Sequence, residues 1–579
     1  MAHGATALEP TAADQRTPHA RARTAALPRA ETWTLVALCA ATLALRVAYV
    51  FAYPFDSDEP QHLHVAWAWT KGLLPYRDVF DNHTPLFHIL SAPLVALIGE
   101  TPRILVLMRL AMIPLSAATL WGSFLLGRRL FGTRAGLWSA VLCGLSPTFF
   151  FKSLEYRADV LWAALWVLAI AVLLDERLGA RRGFCGGLLL GACLAVSLKT
   201  TMLLAALAIA SAGVWVLSPR AGGDARRRAV AFAASVMGGL VIPPLAIVLF
   251  FTARGALREL IYCTVEHNML SDVGRWGFSR RPLLLLPILA LLLAAARFII
   301  RRFPGGGRAA FLLLLAGSQY LLLSTLWPVH TRQDLLPFYP LFTVLLAGIL
   351  LARRQGAPGG ERRWTWAAPG AALVPLTLAA LELAVLPALS PIAARGTVPQ
   401  ERLLAEVLAL TDPGDYVLDM KGQAVFRNRP FYHALETMTL ERMARGIIED
   451  TIPERCIATR TCVAPADIGG FPPRARRFLQ ENYVVVGVLR VAGRILDRPP
   501  DDPAGPIPFD VAIPARYAVV SARGDVRGTL DGRPYDGPRE MDPGRHVFVP
   551  ASDANPLAVI WAQAVERGFS PFGGAGEAP

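Results

Sequence analysis

Three acidic side chains stand within four positions, directly after the first hydrophobic stretch of the chain. They are Asp56, Asp58 and Glu59 in the segment FDSDEP. An acid at the edge of a bilayer is costly and therefore marks a functional site by default. A carboxylate there can accept a proton as a general base, and two acids so close can hold a divalent metal ion. A structural interpretation stays open, because such residues also cap helices and favour their first turn.

A second set of charged residues recurs in later loops. Its carboxylates can supply a base or a metal ligand, and its cations can bind phosphate. Two members have structural alternatives, since Lys199 can extend to the lipid headgroups and Arg332 can pair with Asp334. The set comprises Glu155, Arg157 and Asp159 in SLEYRAD, Lys199 in SLKTT, and His330 and Arg332 in WPVHTRQD.

The composition indicates a membrane protein with many spans. Of the 579 residues, 54% are hydrophobic and 18% are charged. Apolar blocks of roughly 17–23 residues recur, which is the length that crosses a bilayer. The net charge of +14 reflects arginines in short loops, where they set the topology. No basic groove with interleaved aromatic residues accompanies them, so nucleic acid is not expected as a partner.

Basic residues ahead of the first span place the N-terminus in the cytoplasm and the acids at 56–59 outside. If residues 84–99 do not fully cross, the arginine-rich loops also lie inside, and we adopt that topology. Residues 61–72 then form an amphipathic helix lying at the outer interface. Eleven spans and an outer C-terminus follow. The spans are 33–53, 104–126, 135–150, 160–175, 183–200, 201–217, 229–251, 282–300, 309–327, 335–352 and 366–390.

The chain is predicted to have three parts. A disordered, basic, cytoplasmic segment (1–32) precedes the transmembrane domain (33–390), and a soluble extracytoplasmic α/β domain follows (391–579). In that last domain, Cys456 and Cys462 are close enough in sequence for a disulfide if the region is extracytoplasmic. Helices are predicted near 399–411, 437–449 and 472–482, and strands at 416–420 and 483–490.

The order and sidedness of these features resemble the GT-C membrane glycosyltransferases. The features are an acidic pair after the first span, an outer loop closed by a Pro-Leu step, a second acid in the next outer loop, a lysine ending a short span and a late Pro-rich segment. Within the superfamily, the chain is similar to protein O-mannosyltransferases, aminoarabinose transferases and RgtA-like galacturonosyltransferases (glycosyltransferase family 39-like). The resemblance covers about residues 33–352 and implies a GT-C-like polytopic α-helical membrane protein with interfacial helices.

The resemblance also implies an activity and a place. The chain would transfer a sugar from a polyprenyl-phosphate donor to a cell-envelope acceptor, which is a glycolipid, a polysaccharide or a protein. The reaction would occur on the extracytoplasmic face of a bacterial cytoplasmic (inner) membrane. A carboxylate about 3 Å from the acceptor hydroxyl would contribute about 10²–10⁴-fold, with or without a divalent metal ion at Asp56 and Asp58.

By position, Asp58 matches the first catalytic acid of the family, with Glu59 beside it. Asp159, or less closely Glu155, matches the second. The cations Arg157, Lys199 and Arg332, with His330 in the same loop as Arg332, are similar to the groups that hold the substrate and its phosphate. This chain reads His83-Thr84-Pro85 where the family branch often has Lys-Pro-Pro. His83 is therefore a pH-dependent substitute for that lysine, or the phosphate is held elsewhere.

A transporter or flippase of envelope lipids or glycans is the alternative. It predicts acids at the middle of spans and two similar halves. Here the acids lie at one membrane face and the sequence has no half-repeat, which favours the transferase.

Overall fold

A bundle of apolar helices forms most of the structure. The computed structural model describes residues 27–175, 179–218, 223–270, 285–303, 306–351, 353–356, 362–365, 372–497, 505–551 and 556–573. Within these ranges, eleven helical segments match the eleven predicted spans. They are Arg29–Ala52, Ile104–Leu110 continued by Met112–Phe131, Thr133–Leu145, Ala158–Leu173, Ala180–Val196, Thr200–Leu217, Gly223–Ala253, Leu285–Arg302, Gly307–Leu326, Phe338–Leu350 and Leu373–Leu389.

Several of these segments are long and apolar enough to cross a bilayer. Six in the described part of the chain meet that criterion, and three further apolar helices are shorter. The chain is therefore a polytopic α-helical membrane protein, as predicted. The six segments are Arg29–Ala52, Ile104–Phe131, Thr200–Leu217, Arg226–Ala253, Gly307–Leu326 and Leu373–Leu410.

Small residues allow the helices to pack closely. A Cβ atom on Gly127 would stand 2.7 Å from the Cα atom of Gly136, on the next helix. Only glycine permits this approach, which is typical of helix pairs in membranes. Gly132, with a φ of 98°, separates the two helices and lets the chain reverse between them.

The helix Asp58–Thr70 differs from the prediction of an interfacial amphipathic helix. Every side chain from Glu59 to Ala68 is buried, so the helix lies inside the protein. The reason is a contact far along the chain, where the backbone carbonyl of Val425 and a ring nitrogen of His64 are 2.8 Å apart. The following helix, Leu86–Ile98, has 13 residues and a length of about 20 Å, which is less than the hydrocarbon core of a bilayer.

The C-terminal region, residues 398–573, combines helices with a strand-rich second half, in which Asp531 and Gly532 form the predicted turn between two strands. Its helices Val398–Leu410, Thr437–Ala444 and Pro473–Asn482 match the predictions, and Ile452–Ala458 was not predicted. The strand predicted at 483–490 is confirmed over Tyr483–Val486, after which the chain reverses at Gly487, whose φ is 60°. It forms a hairpin of Tyr483–Val486 with Leu489–Leu496. Only Tyr416 and Val417 form isolated bridges within the strand predicted at 416–420.

Two antiparallel sheets make up the rest of that region, and a short hairpin of β1 (Arg353–Gly356) and β2 (Arg362–Thr365) precedes them. The six-stranded sheet has the order β10-β7-β12-β5-β3, and β4 also pairs with β5. The four-stranded sheet has the order β6-β11-β8-β9. The strands are β3 (Val463–Pro465), β4 (Tyr483–Val486), β5 (Leu489–Leu496), β6 (Ile507–Val511), β7 (Ala515–Ser521), β8 (Gly528–Leu530), β9 (Arg533–Pro534), β10 (Arg539–Met541), β11 (Gly544–Pro550) and β12 (Leu557–Trp561).

The predicted disulfide between Cys456 and Cys462 is not formed. Both thiols are free and buried. Cys456 lies on the helix Ile452–Ala458 and belongs to the same apolar core as Tyr483. Cys462 lies just before β3, where its carbonyl accepts a hydrogen bond from Ala492. Both side chains therefore act as small members of the core of this region.

Candidate functional site

A cavity of about 530 Å³ lies between the helix bundle and the C-terminal region. Its lining includes both charged and apolar side chains. The apolar ones include Trp327, Val329, Val265 and Met438. The polar and charged ones include Asp58, His83, Arg157, Lys199, Lys421 and Glu436. Such a cavity can contact both a charged group and an apolar chain.

Asp58 begins its helix and projects a partly exposed carboxylate into the cavity wall. Its two oxygens lie 2.8 Å from Arg157 and 2.8 Å from Lys421. Burial raises the pKa of Asp58, but the two cations outweigh burial and hold that pKa well below the usual carboxyl range. The carboxylate is therefore ionised, and each of its oxygens is paired with a cation.

Arg157 connects the two acidic segments that the sequence places a hundred residues apart. Its guanidinium lies 2.8 Å from both Asp56 and Asp58, 3.3 Å from Asp159 and 3.9 Å from Glu155. The residue precedes the helix that starts at Ala158 and has extended backbone angles, which turn its side chain back toward the first loop. The planar five-donor group suits several carboxylates at once.

Lys199 occupies the link between the helices Ala180–Val196 and Thr200–Leu217. Its ammonium lies 3.1 Å from Asp159 and also contacts Asp334. Asp334 accepts hydrogen bonds from the backbone and hydroxyl of Thr331 as well. Lys199 is therefore held inside the protein by carboxylates and does not extend to the lipid.

The loop that carries His330 and Arg332 contributes less than predicted. The proposed pair of Arg332 with Asp334 is not formed, because Asp334 turns inward to Lys199. Arg332 is exposed and is not among the cavity-lining residues. His330 is largely buried, 3.7 Å from Asp334.

Glu59 points away from the cavity although it adjoins Asp58. Its carboxylate forms two bonds to the guanidinium of Arg109, at 2.7 and 2.5 Å. It also accepts hydrogen bonds from the backbone of Tyr156 and Asp56. Glu59 and Arg109 are both fully buried. This geometry makes Glu59 a structural anchor and does not bring it to the cavity wall.

Asp56, Glu155 and Asp159 lie behind the cavity wall in the same network. Lys152 lies 3.2 Å from Asp56 and 2.6 Å from Glu155. The two carboxylates of the predicted metal pair, Asp56 and Asp58, are paired with Lys152, Arg157 and Lys421. The described residues contain no group of three or more His, Cys, Asp or Glu side chains that could hold a metal ion.

A chain of imidazoles runs from the cavity into the protein. His83 lines the cavity and lies 2.9 Å from Asp81. The other oxygen of Asp81 is 3.2 Å from His88, and His88 is 2.9 Å from His62. Burial, followed by the charges of His83 and His88, lowers the pKa of His62 well below its usual value. His62 is therefore neutral, and the chain can orient His83 without adding charge.

Sequence reasoning missed Lys421, Lys152 and Asp81. The rarity of lysine in this chain could have identified Lys421 and Lys152 as site residues. Of the 58 basic residues only four are lysines, Lys71, Lys152, Lys199 and Lys421. Three of these four contact the same carboxylate network. In a chain that otherwise uses arginine, lysine marks this site.

Comparison with known proteins identifies the fold. No protein-family model and no curated protein matches this sequence. Among solved structures, apo ArnT (aminoarabinose transferase) from Cupriavidus metallidurans is similar, with a TM-score of 0.53 and 14% identity over 80% of this chain and 98% of ArnT. ArnT bound to undecaprenyl phosphate gives a TM-score of 0.50 and 14% identity, over 81% and 96% of the two chains.

The apo oligosaccharyltransferase of Archaeoglobus fulgidus matches with a TM-score of 0.46 and 11% identity over 91% of this chain and 95% of that chain. The likeness to ArnT shows the fold. This chain therefore shares the fold of ArnT, with a bundle of apolar helices followed by a C-terminal region.

Proposed function

We propose that this protein is an integral-membrane glycosyltransferase. It moves a sugar from a polyprenyl-phosphate donor to an acceptor of the cell envelope. The observation that carries the proposal is the cavity, whose lining combines two carboxylates, Asp58 and Glu436, and three cations with apolar side chains. A sugar phosphate on a lipid chain has the matching chemistry, and ArnT of similar fold has been crystallised with undecaprenyl phosphate.

The reaction assigns roles to three charged residues that line the cavity, Asp58, Arg157 and Lys199. The bond between the anomeric carbon and the phosphate oxygen breaks, and the phosphate leaves with the electron pair. A bond forms between that carbon and the acceptor oxygen, whose proton passes to the carboxylate of Asp58. Arg157 and Lys199 bind the leaving phosphate, since charge-assisted hydrogen bonds to phosphate are strong. No general acid is needed, because the leaving group is already an anion.

The other predicted site residues act through these groups. Asp159 and Asp56 orient Lys199 and Arg157, so they are positioning residues. Glu155 orients Lys152. His83 faces the cavity and is assigned to hydroxyl groups of the substrate, whereas His330 and Arg332 are assigned no step.

The proposed place of action is the extracytoplasmic face of a bacterial cytoplasmic membrane. The arginine-rich connections between predicted spans support this orientation by the positive-inside rule. The acceptor is an envelope glycolipid, polysaccharide or protein. Mass spectrometry of envelope lipids, glycans and proteins from cells with and without this protein would reveal the acceptor and the mass of the added sugar.

Replacement of the proposed base tests the function. Purified protein in lipid nanodiscs is supplied with a labelled polyprenyl-phosphate sugar and an envelope extract. Asp58→Asn is expected to reduce transfer at least about 10²-fold, because a positioned base contributes that much. Asp78→Asn is the matched control, since Asp78 pairs with Arg77 and lies outside the cavity lining. Undiminished transfer by Asp58→Asn would refute the mechanism, and uptake of substrate without transfer would favour a transporter.

A further inference from the structure

Lys421 reaches the proposed active site from the opposite end of the chain. Its ammonium lies 2.8 Å from the carboxylate of Asp58 and 3.1 Å from the hydroxyl of Ser57. The residue is separated from Asp58 by 363 positions and lines the same cavity as Arg157 and Lys199. The C-terminal region therefore supplies one cation of a site otherwise built by the helix bundle.

The backbone that carries Lys421 is held firmly. The carboxylate of Asp419 accepts hydrogen bonds from the backbone of Gly422 and Ala424, at 2.7 and 2.8 Å, and pairs with Arg429 at 2.8 Å. Gly422 has a φ of 85°, and a Cβ atom there would stand 2.7 Å from the Cβ of His64. The loop is thus fixed against the helix Asp58–Thr70, and motion of Lys421 is left to its side chain.

The three cations of the cavity differ in how many carboxylates hold them. Arg157 pairs with Asp56, Asp58 and Asp159, and Lys199 pairs with two carboxylates. Among the described residues, Lys421 pairs with one carboxylate, that of Asp58. A new anion in the cavity therefore competes most easily for Lys421.

The choice of lysine at this position suits such an exchange. Lysine carries a compact charge on a flexible stem, whereas the fork of arginine binds one carboxylate in a fixed geometry. The chain uses arginine for nearly all of its positive charge, yet Lys421 is one of four lysines among 58 basic residues. While Lys421 remains on Asp58, that carboxylate is a weak base and its oxygen is occupied.

We propose that Lys421 leaves Asp58 for the donor phosphate when the donor binds, and so couples donor binding to release of the base. The free protein keeps Asp58 neutralised by Arg157 and Lys421. Binding of the phosphate draws Lys421 away and leaves an oxygen of Asp58 open to the acceptor hydroxyl. This inference rests on the proposed glycosyl transfer and assigns a function in it to the C-terminal region.

Two substitutions of Lys421 test the exchange in the full-length protein in nanodiscs. The readouts are the affinity for undecaprenyl phosphate, and kcat and KM with an undecaprenyl-phosphate sugar on which the wild type is active. Lys421→Gln is expected to weaken binding of undecaprenyl phosphate at least about tenfold, because it removes a charge-assisted hydrogen bond. Lys421→Arg is expected to bind it nearly as the wild type does. The kcat of Lys421→Arg is expected to fall about tenfold or more, because the arginine guanidinium stays paired with the carboxylate of Asp58.

Lys71→Gln is the matched control. Lys71 is the remaining lysine, pairs with Glu100 at 3.8 Å and does not line the cavity, so both readouts are expected to stay at the wild-type level. Lys421→Arg keeps the ion pair and is expected to fold even if Lys421→Gln does not. The exchange is refuted if Lys421→Gln binds undecaprenyl phosphate as tightly as the wild type, or if Lys421→Arg keeps the wild-type kcat. If the wild type itself neither binds undecaprenyl phosphate nor transfers sugar, the proposed function fails instead.

Discussion

Two neighbouring acids illustrate how position alone divides chemistry from structure. Asp58 and Glu59 are adjacent at the start of one helix, and successive helical side chains point in directions about 100° apart. Asp58 therefore faces the cavity while Glu59 faces Arg109 inside the protein. The sequence analysis assigned both to catalysis because Arg109 lies fifty positions away and has no local pattern that links it to Glu59.

Loss of the Glu59 charge is expected to destabilise the fold. Glu59→Gln leaves the guanidinium of Arg109 buried without its counter-charge, which costs about 3–5 kcal/mol. Thermal unfolding in detergent measures the effect. Glu454→Gln is the control, because its pair with Arg474 lies at the surface and such pairs contribute little to stability. A Glu59→Gln protein with wild-type stability would contradict the assignment of Glu59 as an anchor.

At the scale of elements, the contact between the C-terminal region and the helix bundle is built from buried aromatic and histidine side chains. His433 lies 3.3 Å from the hydroxyl of Tyr262, and its ring stacks near that of His267. Arg442 donates hydrogen bonds to the carbonyls of Glu266 and His267. These contacts hold residues 257–270 against the helix Thr437–Ala444, so both elements keep their places in the cavity wall.

This contact is expected to weaken in acid. Burial, with the charges of His267 and Arg429, lowers the pKa of His433 from 6.5 to about 4. The unfolded chain then binds a proton at His433 below about pH 6.5, whereas the folded chain binds it only near pH 4. The free energy of unfolding therefore decreases as the pH falls through that window. Thermal unfolding from pH 7 to pH 4.5 measures the loss, which His433→Gln is expected to reduce.

His546 provides a control of opposite sign. Burial lowers its pKa, but Asp531 and the carbonyl of Asp542 outweigh burial and raise it. A raised pKa adds stability that is complete below the unfolded value and is lost as the pH rises. His546→Gln is therefore expected to reduce stability in acid, while His433→Gln improves it. Equal effects of the two substitutions would contradict this account of the contact.

The positions of the helices could be predicted from the sequence, but the contacts that bury them could not. Apolar length alone located the eleven helical segments, because each must satisfy its own backbone within a membrane. The hairpin at 483–496 was missed, since its only local mark is Gly487 inside a run of β-branched residues. The burial of the helix Asp58–Thr70 depends on Val425, which no local pattern associates with it.

The candidate site was predicted in part for the same reason. Asp58, Arg157 and Lys199 stand at the ends of helices, so the order of the loops was enough to predict that they lie close together. Lys421 follows a segment without regular structure, and only three-dimensional contact joins it to Asp58. Arg332 does not line the cavity as predicted, because the inward-facing charged residue of its loop is Asp334, which contacts Lys199.

At the scale of the whole molecule, the cavity and the C-terminal region share one side of the membrane. Lys421 and Arg516 both belong to that region, and Arg516 is exposed on β7. Arg228 is exposed near the start of the long helix Gly223–Ala253, on the side where the arginine pattern predicts the cytoplasm. A label that reacts with one of these positions and not the other therefore reports the side of the site.

Cysteine labelling tests the orientation. A membrane-impermeant maleimide is expected to modify Arg516→Cys in intact spheroplasts. It is expected to modify Arg228→Cys only after the spheroplasts are permeabilised. The parent chain labelled in parallel corrects for its own cysteines, and a permeant maleimide confirms that both variants react. The reverse pattern would place the cavity in the cytoplasm and exclude an extracytoplasmic reaction.

The buried helix Asp58–Thr70 also has a consequence for how the protein is made. The ribosome releases it just after the first span, but the chain that covers His64 follows 361 residues later. At about 5–20 residues per second, the uncovered interval lasts roughly 20–70 seconds. During that time the histidines and carboxylates of this helix lack their partners from the C-terminal region while they lie beside the translocation machinery. Slow synthesis of the C-terminal region, or its early termination, would thus expose the nascent chain to quality-control proteases.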